Sequence, residues 1–168
     1  SAQGDYSIAM GTSTVANGAK STAMGNQTNA SGDYSTAMGR YSIASGENST
    51  AMGNGIASGY NSTAMGNSTA SGYASIASGI HSTASGMFSF AMGGDSGSYA
   101  EGDYSFAFGQ SYASGEYSTA MGYSNASGKF SFAMGDGNAT GDYSTATGNG
   151  TIASDYASTV IGQNNLTG

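Results

Sequence analysis

The stretch GDYSTAMGRYSIASG, residues 32–46, decides the fold because its pattern recurs along the whole chain. It holds two copies of the unit Ser/Thr-x-Ala-x-Gly, which close at Gly39 and Gly46. Twenty-four such units follow one another about every seven residues, and 23 of them carry alanine two residues before the closing position. Asp155 replaces one closing glycine, and Val160 replaces one alanine. Spacing this regular predicts a repeat architecture.

The true period is fourteen residues, because the residue before the closing glycine alternates in type. In one series, the A strands, it is mostly methionine, as at Met38; in the other, the B strands, it is mostly serine, as at Ser45. Five residues ending in glycine suit a short strand, whose successive side chains point to opposite faces. The sequence therefore predicts an all-β roll or solenoid of about 12 coils, roughly 55–60 Å long at ~4.8 Å per coil.

The two faces of these strands differ in chemistry. Serine and alanine share one face in both series, which we assign to the inside of a flattened roll. The other face of the B strands (the B face) is mostly polar and should meet water. The other face of the A strands (the A face) carries 15 large apolar side chains, a patch of roughly 600 Å² at ~40 Å² each, as large as monomers normally expose.

We therefore predict that the A face is an interface between chains. The alternative is that this stripe forms the roll's own core while serine and alanine face outward, but that arrangement would place methionine and serine on opposite walls of one core. The predicted interface residues are Met10, Met24, Met38, Met52, Met65, Phe90, Met92, Phe106, Phe108, Met121, Phe132 and Met134.

The turns between strands are of two kinds. Every B-to-A step is seven residues long, whereas A-to-B steps vary from six to nine residues, with the longest before Gly102. Surface loops tolerate changes in length and packed turns do not. We expect free A-to-B turns, constrained B-to-A turns, a variable-loop insertion near residues 94–101, and tolerance of a deletion of residues 94–98.

An aromatic residue occupies ten of the twelve B-to-A turns. We favour stacking of these rings along the rod or against a neighbouring subunit, with a ligand-binding role as the alternative. The tyrosines of this candidate ligand or packing edge are Tyr6, Tyr34, Tyr60, Tyr73, Tyr104, Tyr117 and Tyr143.

Composition argues against several classes of function. The net charge of −7 and only three basic residues oppose binding to nucleic acid. His81 is the only histidine and there is no cysteine, so we expect no catalytic residues, no metal and no cofactor. The acids beside the turn tyrosines are interpreted as a solvated edge. The sequence predicts a protein that is not an enzyme and makes no direct membrane contact in this segment.

The segments GDYSTAMG (32–39) and YSIASG (41–46) resemble the head repeats of the YadA-like family of trimeric autotransporter adhesins. The resemblance covers essentially residues 1–168, taken as a single repeat domain from an adhesin head, and it is specific because the unit is repeated. It implies a left-handed parallel β-roll in each chain of a homotrimer, with A strands facing the trimer axis. Where the family often has isoleucine or valine at the apolar position, this chain has methionine.

The resemblance also implies a function. The expected role is a non-enzymatic adhesion module at the tip of a fibre on the bacterial cell surface or outer membrane, binding host extracellular matrix, cells or other bacteria through a multivalent surface. Two alternatives remain, a receptor-binding segment of a phage tail fibre and an ice-binding β-solenoid. An ice-binding surface would need a uniform threonine or serine array, which the B face lacks.

Overall fold

The computed structural model describes residues 1–167, which form one twenty-stranded parallel sheet wound into a solenoid, without a helix in that range. Gly168 lies outside the described residues. The strands are β1 (Ile8–Thr12), β2 (Val15–Ala16), β3 (Thr22–Asn26), β4 (Asn29–Ala30), β5 (Thr36–Arg40), β6 (Ile43–Ala44), β7 (Thr50–Gly53), β8 (Ile56–Ala57), β9 (Thr63–Ala70), β10 (Ile76–Ala84), β11 (Phe90–Gly93), β12 (Tyr99–Ala100), β13 (Phe106–Gly109), β14 (Tyr112–Ala113), β15 (Thr119–Gly122), β16 (Asn125–Ala126), β17 (Phe132–Ala139), β18 (Thr145–Ala153), β19 (Thr159–Gln163) and β20 (Leu166–Thr167).

Each strand pairs in parallel with the strand at the same repeat position one coil further along the chain. Between β3 and β5, for example, Ala23 lies beside Ala37 and Met24 beside Met38. Twelve A strands stack in this way over residues 1–167, and the eleven steps between them make about eleven turns. The predicted all-β parallel solenoid is confirmed, while the left hand of the coil stays a prediction.

The interior holds only small side chains. The alanines of the repeat are fully buried from Ala16 to Ala153, and Val160 is almost so. The serines that share their face are buried as well, which confirms the predicted inside face and excludes a methionine core. The polarity of some of these serines is satisfied, as at Ser68, whose hydroxyl lies 3.0 Å from the carbonyl oxygens of both Met65 and Ala77, whereas the buried hydroxyls of others, such as Ser21 and Ser35, have no partner among the described residues. A hydroxyl bonded in this way carries little cost of burial.

Glycine closes each unit because the neighbouring coil leaves no room for a side chain. A Cβ atom placed on Gly32, which follows a B strand, would overlap the carbonyl oxygen of Gly46 in the next coil. On the A side, Gly25 meets the carbonyl of Gly39 in the same way and also has a φ of +125°. The stacking distance of the coils thus fixes glycine at these positions.

The B-to-A turns are bonded to the neighbouring coil. In the turn after Gly32, the Ser35 amide donates to the Gly32 carbonyl at 3.2 Å. Tyr34 adopts a left-handed conformation with φ of 57°, and its amide donates to the Ala19 carbonyl of the previous coil at 2.8 Å. Insertion of a residue here would break both contacts, which accounts for the constant length of this turn.

The seven-residue A-to-B turns differ from the six-residue ones by a single added residue. Six-residue steps contain no residue with positive φ, and in β9 the strand runs straight through the step. Seven-residue steps add one left-handed residue, such as Gln27 or His81, and the pairing of β9 with β10 shifts register between Ile80 and Thr83. The extra residue is therefore a bulge on the surface of the roll. Its amide bonds to the previous coil as in the B-to-A turns, for example from Gln27 to the Thr12 carbonyl at 2.8 Å, and the greater freedom of the A-to-B turns stays a prediction.

The longest A-to-B turn lies between β11 and β12. The Gly97 amide donates to the Gly94 carbonyl at 3.0 Å and closes a tight turn. Ser98, however, is fully buried, and its carbonyl accepts the Thr83 amide at 2.8 Å. Ser98 therefore belongs to the repeat, and the removable part of the loop is residues 94–96 rather than residues 94–98 as expected from the sequence.

Replacing Gly32 by alanine should destabilise the fold by more than about 3 kcal/mol, because a backbone carbonyl has to move to admit the methyl group. Gly94→Ala is the matched control, since a Cβ at Gly94 meets no atom within 4 Å. Thermal unfolding followed by circular dichroism at fixed chain concentration measures both variants. Equal melting temperatures for the two would contradict the account of close coil stacking.

Deleting residues 94–96 should leave stability nearly unchanged, because the nine-residue step then becomes a six-residue step like the one before Gly115. Deleting residues 94–98 should destabilise the protein, because it removes the buried Ser98. Removal of Asn48 from a B-to-A turn is a second comparison and should also be destabilising. If all three deletions lower the melting temperature equally, the assignment of free and constrained turns is wrong.

Candidate assembly face and aromatic edge

The outward side chains of the A strands stand in two columns, one for each outward position. The column next to the closing glycine is mostly methionine, and the parallel pairing places its members side by side from coil to coil. Its members are Met10, Met24, Met38, Met52, Met65, Ser78, Met92, Phe108, Met121, Met134, Thr147 and Ile161.

The second column is mostly threonine, with bulkier residues at a few coils. Its members are Ile8, Thr22, Thr36, Thr50, Thr63, Ile76, Phe90, Phe106, Thr119, Phe132, Thr145 and Thr159. Phe90 and Phe106 stack in adjacent coils with ring centroids 5.1 Å apart and planes 4° from parallel. All twelve residues predicted for the interface therefore lie on one outward face, and its phenylalanines lie in the neighbouring strands β11 and β13 and in β17, with β15 between β13 and β17.

The A face is only half covered by the chain's own atoms. Met10 is 58% exposed and Phe108 is 44% exposed, and the methionines of β3, β5, β7 and β9 are partly buried by one another. A single chain thus presents to solvent a band of methionine and phenylalanine, interrupted at Ser78 and Thr147, beside a band of threonine. Such a band is typical of a surface that another protein surface covers.

The rings in the B-to-A turns form a continuous stack from Tyr60 to Tyr156. Its members in order are Tyr60, Tyr73, Phe88, Tyr104, Tyr117, Phe130, Tyr143 and Tyr156, with neighbouring centroids 4.7–5.5 Å apart. Five of the seven contacts are face to face, and two are edge to face. The edge-to-face contacts occur at Tyr73–Phe88 and Tyr143–Tyr156, where the ring moves by one position within the turn.

Two of the predicted edge tyrosines lie outside this stack. Tyr6 is 87% exposed, and Tyr34 is covered by Lys20, whose Nζ atom lies 4.8 Å from the ring centroid and 3.2 Å from the hydroxyl. Along the stack most ring faces are occupied by the neighbouring ring, although each of the eight residues remains at least 40% exposed. This arrangement favours packing along the rod as the role of the edge.

The acids beside these aromatic residues do more than meet water. The Asp33 carboxylate accepts the backbone amide of Ala19 in the previous coil at 2.8 Å, and Asp142 accepts that of Lys129 at 2.9 Å. Asp103 makes the same contact with its own previous coil. The interpretation of these acids as a purely solvated edge is therefore corrected, because they tie successive turns together by charge-assisted hydrogen bonds.

One ion pair adds to this edge. The Lys129 Nζ atom lies 2.7 Å from a Glu116 carboxylate oxygen, and this hydrogen bond raises the pKa of Lys129. Both side chains are close to half exposed, so the pair contributes little to stability.

The B face contains an aromatic pair that the sequence analysis recorded only as an irregularity. Tyr99 and Tyr112 lie beside each other in β12 and β14, with ring centroids 4.4 Å apart and planes 14° from parallel. The pKa of Tyr112 is raised, first by partial loss of solvent and then by Tyr99 and Glu101. The signal in the sequence was two tyrosines at the same repeat position of consecutive coils, next to the only acid of the B face.

Residues 1–167 contain no group of three or more acidic, histidine or cysteine side chains placed to hold a metal, and no pocket. His81 lies in an exposed turn, with its Nδ1 atom 3.4 Å from the carbonyl oxygen of Asp95. In the described range there is also no helix long and apolar enough to cross a membrane.

Comparison with known proteins identifies the repeat. The family model of the YadA head domain repeat matches nearly the whole chain, whereas the comparison with curated proteins gives no significant match. The matched residues are 2–28, 30–55, 57–69, 70–96, 96–111, 109–125, 113–138 and 139–165. With this family match and the parallel solenoid of fourteen-residue coils, the chain belongs to the YadA head family, whose repeats form the heads of trimeric autotransporter adhesins.

Proposed function

We propose that three copies of this chain assemble through their A faces into an adhesive head, which binds host extracellular matrix, cells or other bacteria. The head is displayed on the bacterial surface as part of an outer-membrane adhesin. The family match supports the adhesin assignment, because YadA head domains are parts of surface adhesins and not of enzymes. The identity of the partner is left to the experiment below.

The exposed A face is the observation that supports the proposed trimer. Its methionine and phenylalanine side chains stand in register over many coils, and the interior of the roll has no space for them. Burial of apolar surface contributes about 25 cal/mol per Å², so a band of this length gives a large gain when chains associate. The threonine column beside it supplies hydroxyl groups that are able to bond across the same interface.

The outward position of the B faces in such a trimer supports the adhesive role. Each B face is a long surface of mostly polar side chains with a few isoleucines and tyrosines, repeated on three chains around one rod. A partner with repeating structure meets many equivalent contacts on that surface, so individually weak contacts add up through avidity. Repeat proteins commonly use extended surfaces for binding in this manner.

Replacing Met38 and Met52 together by glutamate should dissociate the trimer or unfold it, because unpaired charges would be buried at the interface. The matched control is Ser45→Glu with Ser58→Glu, which adds the same charge to the exposed B face of neighbouring coils. Light scattering across a dilution series measures the mass of each protein. A mass of one chain for the unmodified protein, or a stable trimer for the methionine variant, would contradict the proposed interface.

The adhesive role predicts a difference between trimer and single chain. Unmodified trimer should bind immobilised matrix proteins, cultured host cells or bacterial cells, and the dissociated methionine variant should bind at least ~100-fold more weakly through loss of avidity. The serine variants should remain trimeric and keep the interaction unless their sites touch the partner. Failure of the trimer to bind any of the three would overturn the adhesive role while leaving the assembly intact.

A further inference from the structure

The B face departs from its own pattern in one place. The residue before the closing glycine is serine, threonine or an amide residue in the other coils, but it is Glu101 in the coil after the nine-residue turn. Tyr99 lies two residues earlier on the same strand face, and Tyr112 lies beside it in the next coil. An unusually long turn, a tyrosine pair and a single carboxylate therefore meet within two adjacent coils.

The two tyrosine side chains extend further from the B face than their neighbours in the same column. The two rings are stacked on each other, so each has one covered face and one face directed along the rod. The neighbours of the pair in the same column are Thr83 and Asn125, which are much shorter than tyrosine. Tyr112 remains 47% exposed. Tyr99 is partly buried, so a planar group that approaches across the B face reaches the outer face of Tyr112 and the part of Tyr99 that stays exposed.

A negative charge lies next to these rings. Side chains two residues apart on a strand share a face, which places the exposed Glu101 carboxylate beside Tyr99. Glu101 contributes to raising the pKa of Tyr112, so it lies within electrostatic reach of the second ring as well. Exposed Asp95 lies in the turn before β12, and the whole chain carries a net charge of −7. These surroundings favour the binding of a cation and disfavour the binding of an anion.

We propose that Tyr99, Tyr112 and Glu101 form a binding site for an arginine side chain presented by a protein partner. A guanidinium group stacks on an outer tyrosine face and donates hydrogen bonds to the Glu101 carboxylate. Arginine fits this arrangement better than lysine, because its planar group stacks and forms a fork of donors at the same time. The site deepens the proposed adhesive function by naming the chemistry of the partner, and it occurs three times on each trimer.

Isothermal titration calorimetry with a tetra-arginine peptide tests the site. Tyr99→Thr with Tyr112→Thr installs the residue type found in the same column at Thr69 and Thr83, and Glu101→Ser installs the residue typical of its own column. Each variant should keep the fold and weaken binding ~10-fold. Glu47→Ser removes the same charge from an exposed turn in another coil and should change binding by less than about twofold.

Peptide chemistry gives a second control. A tetra-citrulline peptide keeps the shape of arginine without its charge and should not bind, and a tetra-lysine peptide should bind more weakly than tetra-arginine. Equal binding of the citrulline peptide, equal binding of the lysine peptide, or an equal loss in Glu47→Ser and Glu101→Ser would overturn the proposal. All three site residues belong to one chain, so the titration remains decisive even if light scattering shows no trimer. Failure of the titration with intact trimers would overturn this site alone.

Discussion

The close stacking of the coils is the constraint on which the rest of the structure depends. The closing glycines of the B strands lie so near the carbonyl oxygens of the next coil that no Cβ atom fits between them. The same closeness limits the interior to small side chains, mostly alanine and serine with a few threonines and Val160. Such a core removes little apolar surface per residue, so the regular ladder of backbone hydrogen bonds, each contributing about 0.5–1.5 kcal/mol, carries much of the stability.

The turns carry a strain that their side chains offset. Residues such as Tyr104 and Tyr117 have left-handed backbones with φ of 57° and 58°, which costs about 1–2 kcal/mol for a residue other than glycine. Their rings stack with centroids 4.8 Å apart, and such pairs contribute about 0.5–1.5 kcal/mol beyond burial. Where an aromatic residue is absent the position is held by Asn48 and Asn61, which tolerate this conformation more easily, and also by Lys20, Ala74 and Ala157. The stacked rings therefore offset part of the strain in the turns that carry them.

The pattern of the repeat could be predicted from the sequence, and the contacts between neighbouring coils could not. The inside face followed from the serine and alanine shared by both series. The acids of the turns recur in the sequence, but their hydrogen bonds to the previous coil, such as that from the Ala19 amide to Asp33, depend on a spacing that the sequence does not show. Ser98 opens the unit that closes at Gly102, so its buried position was open to prediction, although the expected deletion of residues 94–98 included it. The tyrosine pair on the B face was visible only as two irregular residues until their distance was known.

A fold of this kind separates the positions that maintain it from the positions that recognise partners. Glycine, alanine and serine face the interior or the next coil, so their replacement disturbs the stack. The outward residues of the B strands leave the backbone ladder unchanged, since the Glu101 amide donates to the Ala113 carbonyl at 2.9 Å as the Ser85 amide donates to the Ala100 carbonyl at 3.0 Å. A single coil is therefore able to acquire a distinct binding surface while adjoining coils keep the register. Assembly through the A face would multiply that surface threefold around the rod, and the coil that departs from the repeat becomes the place to look for specificity.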